Sequence, residues 1–345
     1  MAIISKKKVA YKINPLLRKY LQEYDREIPS FDYQDLLRYD NSIPVMDRNG
    51  KDTLWETVFY PQSEMGPIHN HLKKIYSNLK ADGDVSVIEH LYIDRIDLCP
   101  FGNSKPFRIR IVNEKNDNFD YFYVKNADAS RIYGLELEHI LSPNRINYMV
   151  DKNTLIEEHI AGVPGDLFVT KYMRSENLNK VRIAKEFVKF NERCFIRLLG
   201  DMHSSNFVID ITPDFEETHY RIRAIDFDQQ SYEGRKNVYM PQYYKQNIPY
   251  VELAMELMTP ESVFQYQLEE RSLIMGRVKI AGRKLTLLLE AMCRDTISKK
   301  EYVISLRKEL AKHFKNNAFL KCETMGELVH TNLRMLSDHK KILNH

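Results

Sequence analysis

Excess charge of one sign is scarce in this chain: 51 basic against 48 acidic side chains leave a formal net charge of +3 over 345 residues. So close a balance argues against a global attraction to nucleic acid or to an anionic membrane surface. Cysteine is also sparse. Cys99, Cys194, Cys293 and Cys322 stand far apart, without the paired spacing of a zinc site or a disulfide framework, which points to a reduced, cytoplasmic setting. Apolar runs are short, and none approaches the roughly 18 residues that would cross a bilayer. Met1 to Lys8 is basic, but no apolar segment follows it, so no secretory signal is expected. The length suffices for one large domain or two lobes with ample core.

Along the chain, residues 1–83 read as a polar extension packed on the main body, with helical fragments at Pro15 to Tyr24 and His69 to Leu79 and a turn cluster at Asp47 to Asp52. Residues 84–160 change to strand character. Pro106 to Val112 alternates apolar and basic residues at period two, Asn116-Asp117-Asn118 makes a turn, and Tyr121 to Lys125 returns. Ala129 to Leu141 is expected as a helix turning Ile132, Leu135, Ile140 and Leu141 inward, followed by strands at Ile146 to Val150 and Thr154 to Ile160. Residues 161–345 are mainly helical in pattern, with Lys180 to Cys194, Tyr250 to Met258, a segment opening at Thr259-Pro260, and Lys300 to Phe314 as the clearest stretches. The expected fold class is α+β in two lobes, a small antiparallel sheet with one helix and a larger helical lobe.

The residues that carry chemistry lie in Gly200-Asp201-Met202-His203-Ser204-Ser205-Asn206 and in Ala224-Ile225-Asp226-Phe227-Asp228. Apolar runs flank both, at Phe195 to Leu199, Phe207 to Ile209 and Tyr220 to Ile225, and these are expected as short strands joined by turns. Asp and Asn also stabilise tight turns on their own. In step across paired strands, however, Asp201, Asn206 and Asp226 can converge: two could hold Mg²⁺ through oxygen and one could orient a hydroxyl toward a phosphate.

This layout resembles the protein-kinase-like fold, closest to aminoglycoside- and choline-type small-molecule phosphotransferases. Their catalytic loop reads roughly H-G-D-x-H-x-x-N, which Leu199 to Asn206 matches except for Leu199 in place of the leading His. Ile225-Asp226-Phe227-Asp228 is similar to the family's metal motif and to that of lipopolysaccharide-core sugar kinases. The resemblance covers about residues 85 to 250. It implies an ATP- and Mg²⁺-dependent kinase in which Asp201 is the catalytic Asp, Asn206 and Asp226 bind the metal, and His203 is a scaffold. Asp228 is either a second metal ligand or a surface acid. Lys125 would meet the phosphates and pair with a helix carboxylate, Glu136 first and Glu138 next. Ile156 to Pro164 resembles the hinge, where backbone groups of Glu158 and Ile160 would meet adenine and Glu157 would stand at the gatekeeper position. The loop Cys99 to Lys105 has no G-x-G-x-x-G, and no A-P-E follows the metal motif, which separates the chain from ordinary protein kinases. Arg235 and Lys236 could meet an anionic substrate.

Three functions remain open on the sequence. The first is transfer of the γ-phosphoryl group of ATP to a hydroxyl of a small molecule or sugar. The second is an atypical Ser/Thr protein kinase, with a protein as substrate. The third is a nucleotide-binding pseudokinase or scaffold. Nucleic acid and a membrane span are not expected as partners, and the sequence does not set the oligomeric state.

Overall fold

A computed structural model describes residues 8–27, 31–80, 83–176, 178–215 and 218–343. The chain divides into two compact units, one formed by residues 12–129 and 146–159, the other by 1–11, 130–145 and 160–345. The protein is α+β, an N-terminal antiparallel sheet region followed by a mostly helical part. Among the described residues no helix is long and apolar enough to cross a membrane.

In the first unit, α1 (Pro15–Glu23) is opened by Asn14, whose side chain accepts from the Leu17 amide, and by Pro at its first position. Strands β1 (Asn41–Met46), β2 (Asp52–Phe59), β3 (Leu91–Leu98), β4 (Phe107–Asn113), β5 (Phe119–Asn126), β6 (Tyr148–Asp151) and β7 (Thr154–Glu158) form one sheet in the order β1-β2-β3-β4-β5-β7-β6. Every pairing is antiparallel. Residues expected as an extension therefore supply two of its strands. The turn cluster at Asp47 to Asp52 joins β1 to β2, with Asp47 Oδ1 accepting from the Asn49 and Lys51 amides at 2.8 and 2.9 Å. Period two sorts the sheet: Phe107, Ile109, Ile111, Phe122, Val124 and Ile156 enter a core with Ile68, Leu72, Ile75 and Leu79 of α2 (Gln62–Lys80). The intervening residues Arg108, Arg110, Tyr121, Tyr123 and Lys125 take the other face, where Arg108 lies over the Trp55 ring at 4.5 Å.

The second unit holds α3 (Ala129–Leu141), β8 (Val163–Pro164), α4 (Gly165–Lys171), α5 (Lys180–Arg197), β9 (Phe207–Pro213), β10 (Thr218–Ala224), α6 (Ile248–Leu257), α7 (Pro260–Ala281), α8 (Arg283–Cys293), α9 (Lys300–Phe314) and α10 (Met325–Leu343). Strands β10, β9 and β8 pair in that order. Ile132, Leu135 and Leu141 of α3 are buried as expected, whereas Ile140 is only half-buried. The Thr259 side chain caps α7 by accepting from the Ser262 amide.

One local expectation is overturned. Phe195 to Leu199 is not a strand: α5 runs on through Arg197 and ends at Leu198, in the left-handed region at φ 53°. The apolar run continues the helix's own buried stripe of Ile183, Phe187, Phe190 and Cys194, and a five-residue run cannot by itself distinguish strand from buried helix.

Candidate active site

The residues expected to form a catalytic loop, Gly200 to Asn206, follow the end of α5. Leu198 turns the chain, its carbonyl accepting from the Ser231 amide at 2.8 Å, and Leu199 bridges to Gln230. At Gly200 a Cβ would stand 3.0 Å from both the Gln229 carbonyl oxygen and Val238 Cγ1, so a side chain there would force the two segments apart. Asp201 follows with φ 60°, an uncommon conformation for a non-glycine residue and one that Asp tolerates better than most. Its backbone is held from three sides. The Asp201 amide donates to the Tyr244 hydroxyl (3.0 Å) and to the Val238 carbonyl (3.2 Å), and its carbonyl accepts from the His203 amide (2.9 Å) and the Asn206 side-chain amide (2.8 Å). Tyr244 Oη donates in turn to Val238 O at 2.8 Å. Asn247, immediately before α6, donates through Nδ2 to Met202 O at 2.8 Å and closes the loop.

Asp226 enters from the end of β10, whose seven-residue pairing with β9 sets its height beside Asn206. The Ile225 amide donates to Asn206 O at 3.0 Å, locking the two motifs together. Arg131, 2 % exposed in the first turn of α3, donates through one guanidinium nitrogen to Asp226 Oδ1 at 2.8 Å and to Asp228 Oδ1. The Asp228 amide also bonds Asp226 Oδ1, at 3.0 Å. These placements bring Asp201, Asn206 and Asp226 together in one unit.

The electrostatics agree with that convergence. Burial, then the nearby charges of Asp226, Asp228 and Glu233, push the Asp201 carboxyl up to about 7. His203 is shifted the other way: burial lowers its pKa, so the ring is neutral at pH 7. Its Nε2 stands 3.8 Å from Asp201 Oδ1, and the buried Nδ1 has no hydrogen-bond partner among the described residues. His203 packs edge-on to Tyr244, with ring centroids 6.1 Å apart.

Among the described residues no cluster of three or more His, Cys, Asp or Glu side chains has the makings of a metal site. The expected pair does not need one. Mg²⁺ is commonly held by one or two protein oxygens together with substrate phosphates and water. Asn206 spends its amide nitrogen on Asp201 O, which turns its oxygen outward from that bond, and the bonds of Asp226 fall on Oδ1 rather than Oδ2. One amide oxygen and one carboxylate oxygen beside a second acid fit a single hard cation.

Lys125, in the sheet unit, and Glu136, in the helical unit, each take a partner other than the one expected. Lys125 Nζ bonds Glu157 Oε2 at 2.9 Å, both side chains buried. In the β5–β7 register Lys125 faces Leu155, and Glu157 lies two residues along on the same face. The unusual carboxylate at position 157 is thus the counter-ion of Lys125. Glu136 is fully buried and pairs with Lys284 at 3.3 Å, while Glu138 accepts from Arg197, Ser142 and Asn144.

The residues expected as a hinge lie where β7 ends. The Glu158 amide donates to Asn147 O at 3.0 Å, and its carboxylate is used by the Asn147 amide and by Lys80, so this N–H is already spent. Ile160 follows, 8 % exposed. Of the basic pair that follows Asp226 to Asp228 in the chain, Arg235 lines a cavity of about 260 Å³ with Asn237, Tyr243 and Glu309. The Lys236 ammonium instead bonds Asn237 Oδ1 at 3.2 Å.

Sequence reasoning missed Arg131 and Tyr244. A lone Arg in a first helical turn carries no signal, and Tyr244 is one tyrosine among 21. No protein-family profile matches this chain, and no curated protein does either.

Proposed function

We propose that the protein is a phosphotransferase of the protein-kinase-like fold, moving the γ-phosphoryl group of ATP to a hydroxyl of a small molecule or sugar. The observation that carries this is Asp201, held in a left-handed conformation by Asn206 and Tyr244, with its carboxyl raised to about 7 by burial and by Asp226 and Asp228. A base whose pKa lies near the working pH suits proton acceptance from a hydroxyl. The acceptor hydroxyl donates to the Asp201 carboxylate, which orients it for in-line attack and takes its proton as the new oxygen–phosphorus bond forms and the bond from the γ-phosphorus to the bridging oxygen breaks, ADP leaving with that oxygen. Asn206 and Asp226 are the residues that would hold Mg²⁺, whose chemistry is neutralisation of the phosphate oxygens. Neutral His203 shields one side of Asp201 and packs on Tyr244. Taken by itself, the sheet unit holds in Lys125 a buried ammonium oriented by Glu157, a cation of the kind that binds phosphate.

A second reading is favoured by one specific contact. Arg131 already neutralises Asp226, as it would in a scaffold that binds nucleotide without transfer. The two separate on Asp201→Ala. ATP consumption is measured with aminoglycoside, choline and sugar acceptors, and Mg²⁺-dependent nucleotide binding by calorimetry. The phosphotransferase consumes ATP with an acceptor, and Asp201→Ala abolishes turnover while nucleotide binding persists. A wild type that binds nucleotide but consumes none with any acceptor is the scaffold. One with neither property refutes both.

A further inference from the structure

The guanidinium of Arg131 takes up oxygens of Asp226 and Asp228 that a second divalent cation would need in a two-metal phosphotransfer site. Such sites hold two ions about the acid of the metal motif and the amide of the catalytic loop. Here that ground is divided. Arg131 binds Asp226 Oδ1 and Asp228 Oδ1 together, so the oxygens these acids could offer to a shared ion face an arginine. The oxygen set left over, Asp226 Oδ2 with the Asn206 amide oxygen, serves one ion.

Three further contacts show that the arrangement is built into the fold. The Ser130 hydroxyl, next to Arg131, donates to Gln230 O at 2.6 Å. Gly134, one turn on, lets α3 approach so closely that a Cβ there would lie 3.1 Å from the Cβ atoms of both Phe227 and Gln230. Lys8 adds a second cation at the same place, its ammonium donating to the Asp228 carbonyl at 2.7 Å. Arg131 itself is 2 % exposed, which a guanidinium tolerates only when well paired. The end of the motif that carries Asp228 is thus supplied with positive charge by the protein.

The geometry points to a one-metal site in which Arg131 replaces the second cation, and in which Asp228 is the seat of that arginine instead of a metal ligand. This rests on the phosphotransferase reading of Asp201, Asn206 and Asp226. An arginine in this role cannot leave with the nucleotide, so positive charge remains on Asp226 and Asp228 throughout a cycle.

The test counts Mn²⁺ bound per protein·nucleotide complex, using a non-hydrolysable ATP analogue and the electron paramagnetic resonance signal of free Mn²⁺. The wild type is expected to bind one ion, Arg131→Lys one, and Arg131→Met two, because the freed carboxylates of Asp226 and Asp228 then form the missing seat. Two ions on the wild type overturn the inference and leave phosphotransfer standing. So does a folded Arg131→Met that still binds one. No Mn²⁺ on the wild type complex overturns the metal-dependent reading beneath both. The wild-type count decides the matter even if Arg131→Met fails to fold.

Discussion

Replacing Asp201 with Asn tests the electrostatics of the site apart from its chemistry. In the folded protein the Asp201 carboxyl titrates at about 7, against 3.8 for an ordinary Asp, because burial and the acids Asp226, Asp228 and Glu233 oppose its charge. Between about pH 5.5 and pH 8.5 the unfolded chain keeps this group ionised, whereas the folded chain passes from protonated to ionised. A folded-state pKa that is raised gives stability present below the unfolded value and lost progressively as pH climbs through the folded one. Over that window the wild type should lose at most about 2 kcal/mol from this group, since the folded carboxyl ionises across roughly 1.5 units at 1.36 kcal/mol each. The side chain is 27 % exposed, so solvent screens part of the effect, and about 1 kcal/mol is the expected figure.

Asn keeps the shape and the turn-forming amide but never ionises. Asp201→Asn should therefore gain stability relative to wild type as the pH rises, by about 1 kcal/mol more at pH 8.5 than at pH 5.5. Urea unfolding of both proteins at each pH reads this directly, and taking the difference cancels titrating groups remote from Asp201. An advantage that is the same at both pH values, or that shrinks at the higher one, would show that Asp201 is not under strain from the neighbouring acids. Convergence of Asp201 on Asp226 would then fall with it.

Glu157→Leu strands the Lys125 ammonium in a buried position and should cost about 3 to 5 kcal/mol in urea unfolding. The double variant Lys125→Met, Glu157→Leu should recover most of that loss, and no recovery would mean that the two residues do not act as a pair. Tyr244→Phe removes the hydroxyl that bridges the Asp201 amide and the Val238 carbonyl. It should cost about 1 to 3 kcal/mol and, because it loosens the Asp201 backbone, should lower kcat more than it raises the KM for ATP; an unchanged kcat would reduce Tyr244 to a packing residue.

Much of this was legible because local pattern and burial agree. The alternation over Pro106 to Val112 gave β4, and Ala129 to Leu141 gave α3 to the residue, since strong periodicity survives tertiary context. The paired motifs predicted that Asp201, Asn206 and Asp226 converge, and the hydrogen bonds from Ile225 to Asn206 and from Asn206 to Asp201 hold their segments together. Strands β1 and β2 were not legible: β1 is mostly exposed, lies at the sheet edge and contains Pro44, a residue that argues against any strand but an edge one. The strand expected before Asp201 failed for a different reason, since a short apolar run suits a buried helix end equally well. Pairings were the least legible of all. Which carboxylate meets Lys125 depends on register between β5 and β7, and which residue of α3 meets Asp226 depends on a helix phase fixed by Gly134 and Ser130.

That helix phase is itself held by buried charge at the far end of α3. Glu138 accepts from Arg197, the last residue of α5, and from Ser142 and Asn144; neighbouring Arg193 bonds Glu186 and faces Glu270 of α7. Despite complete burial the Glu138 carboxyl is held below its usual value, because the cations and hydroxyl around it outweigh a desolvation cost that is its largest single influence. Losing either member of such a pair is costly even where the pair itself adds little net stability. One short helix is thereby fixed at its start to the loop carrying Asp226 and at its end to the helix that delivers Asp201. Rotation of α3 by one residue would carry Arg131 off Asp226 and Asp228 and Glu138 off Arg197 together. The placement of the two acids is therefore a single packing decision, made by α3, and not two independent turns.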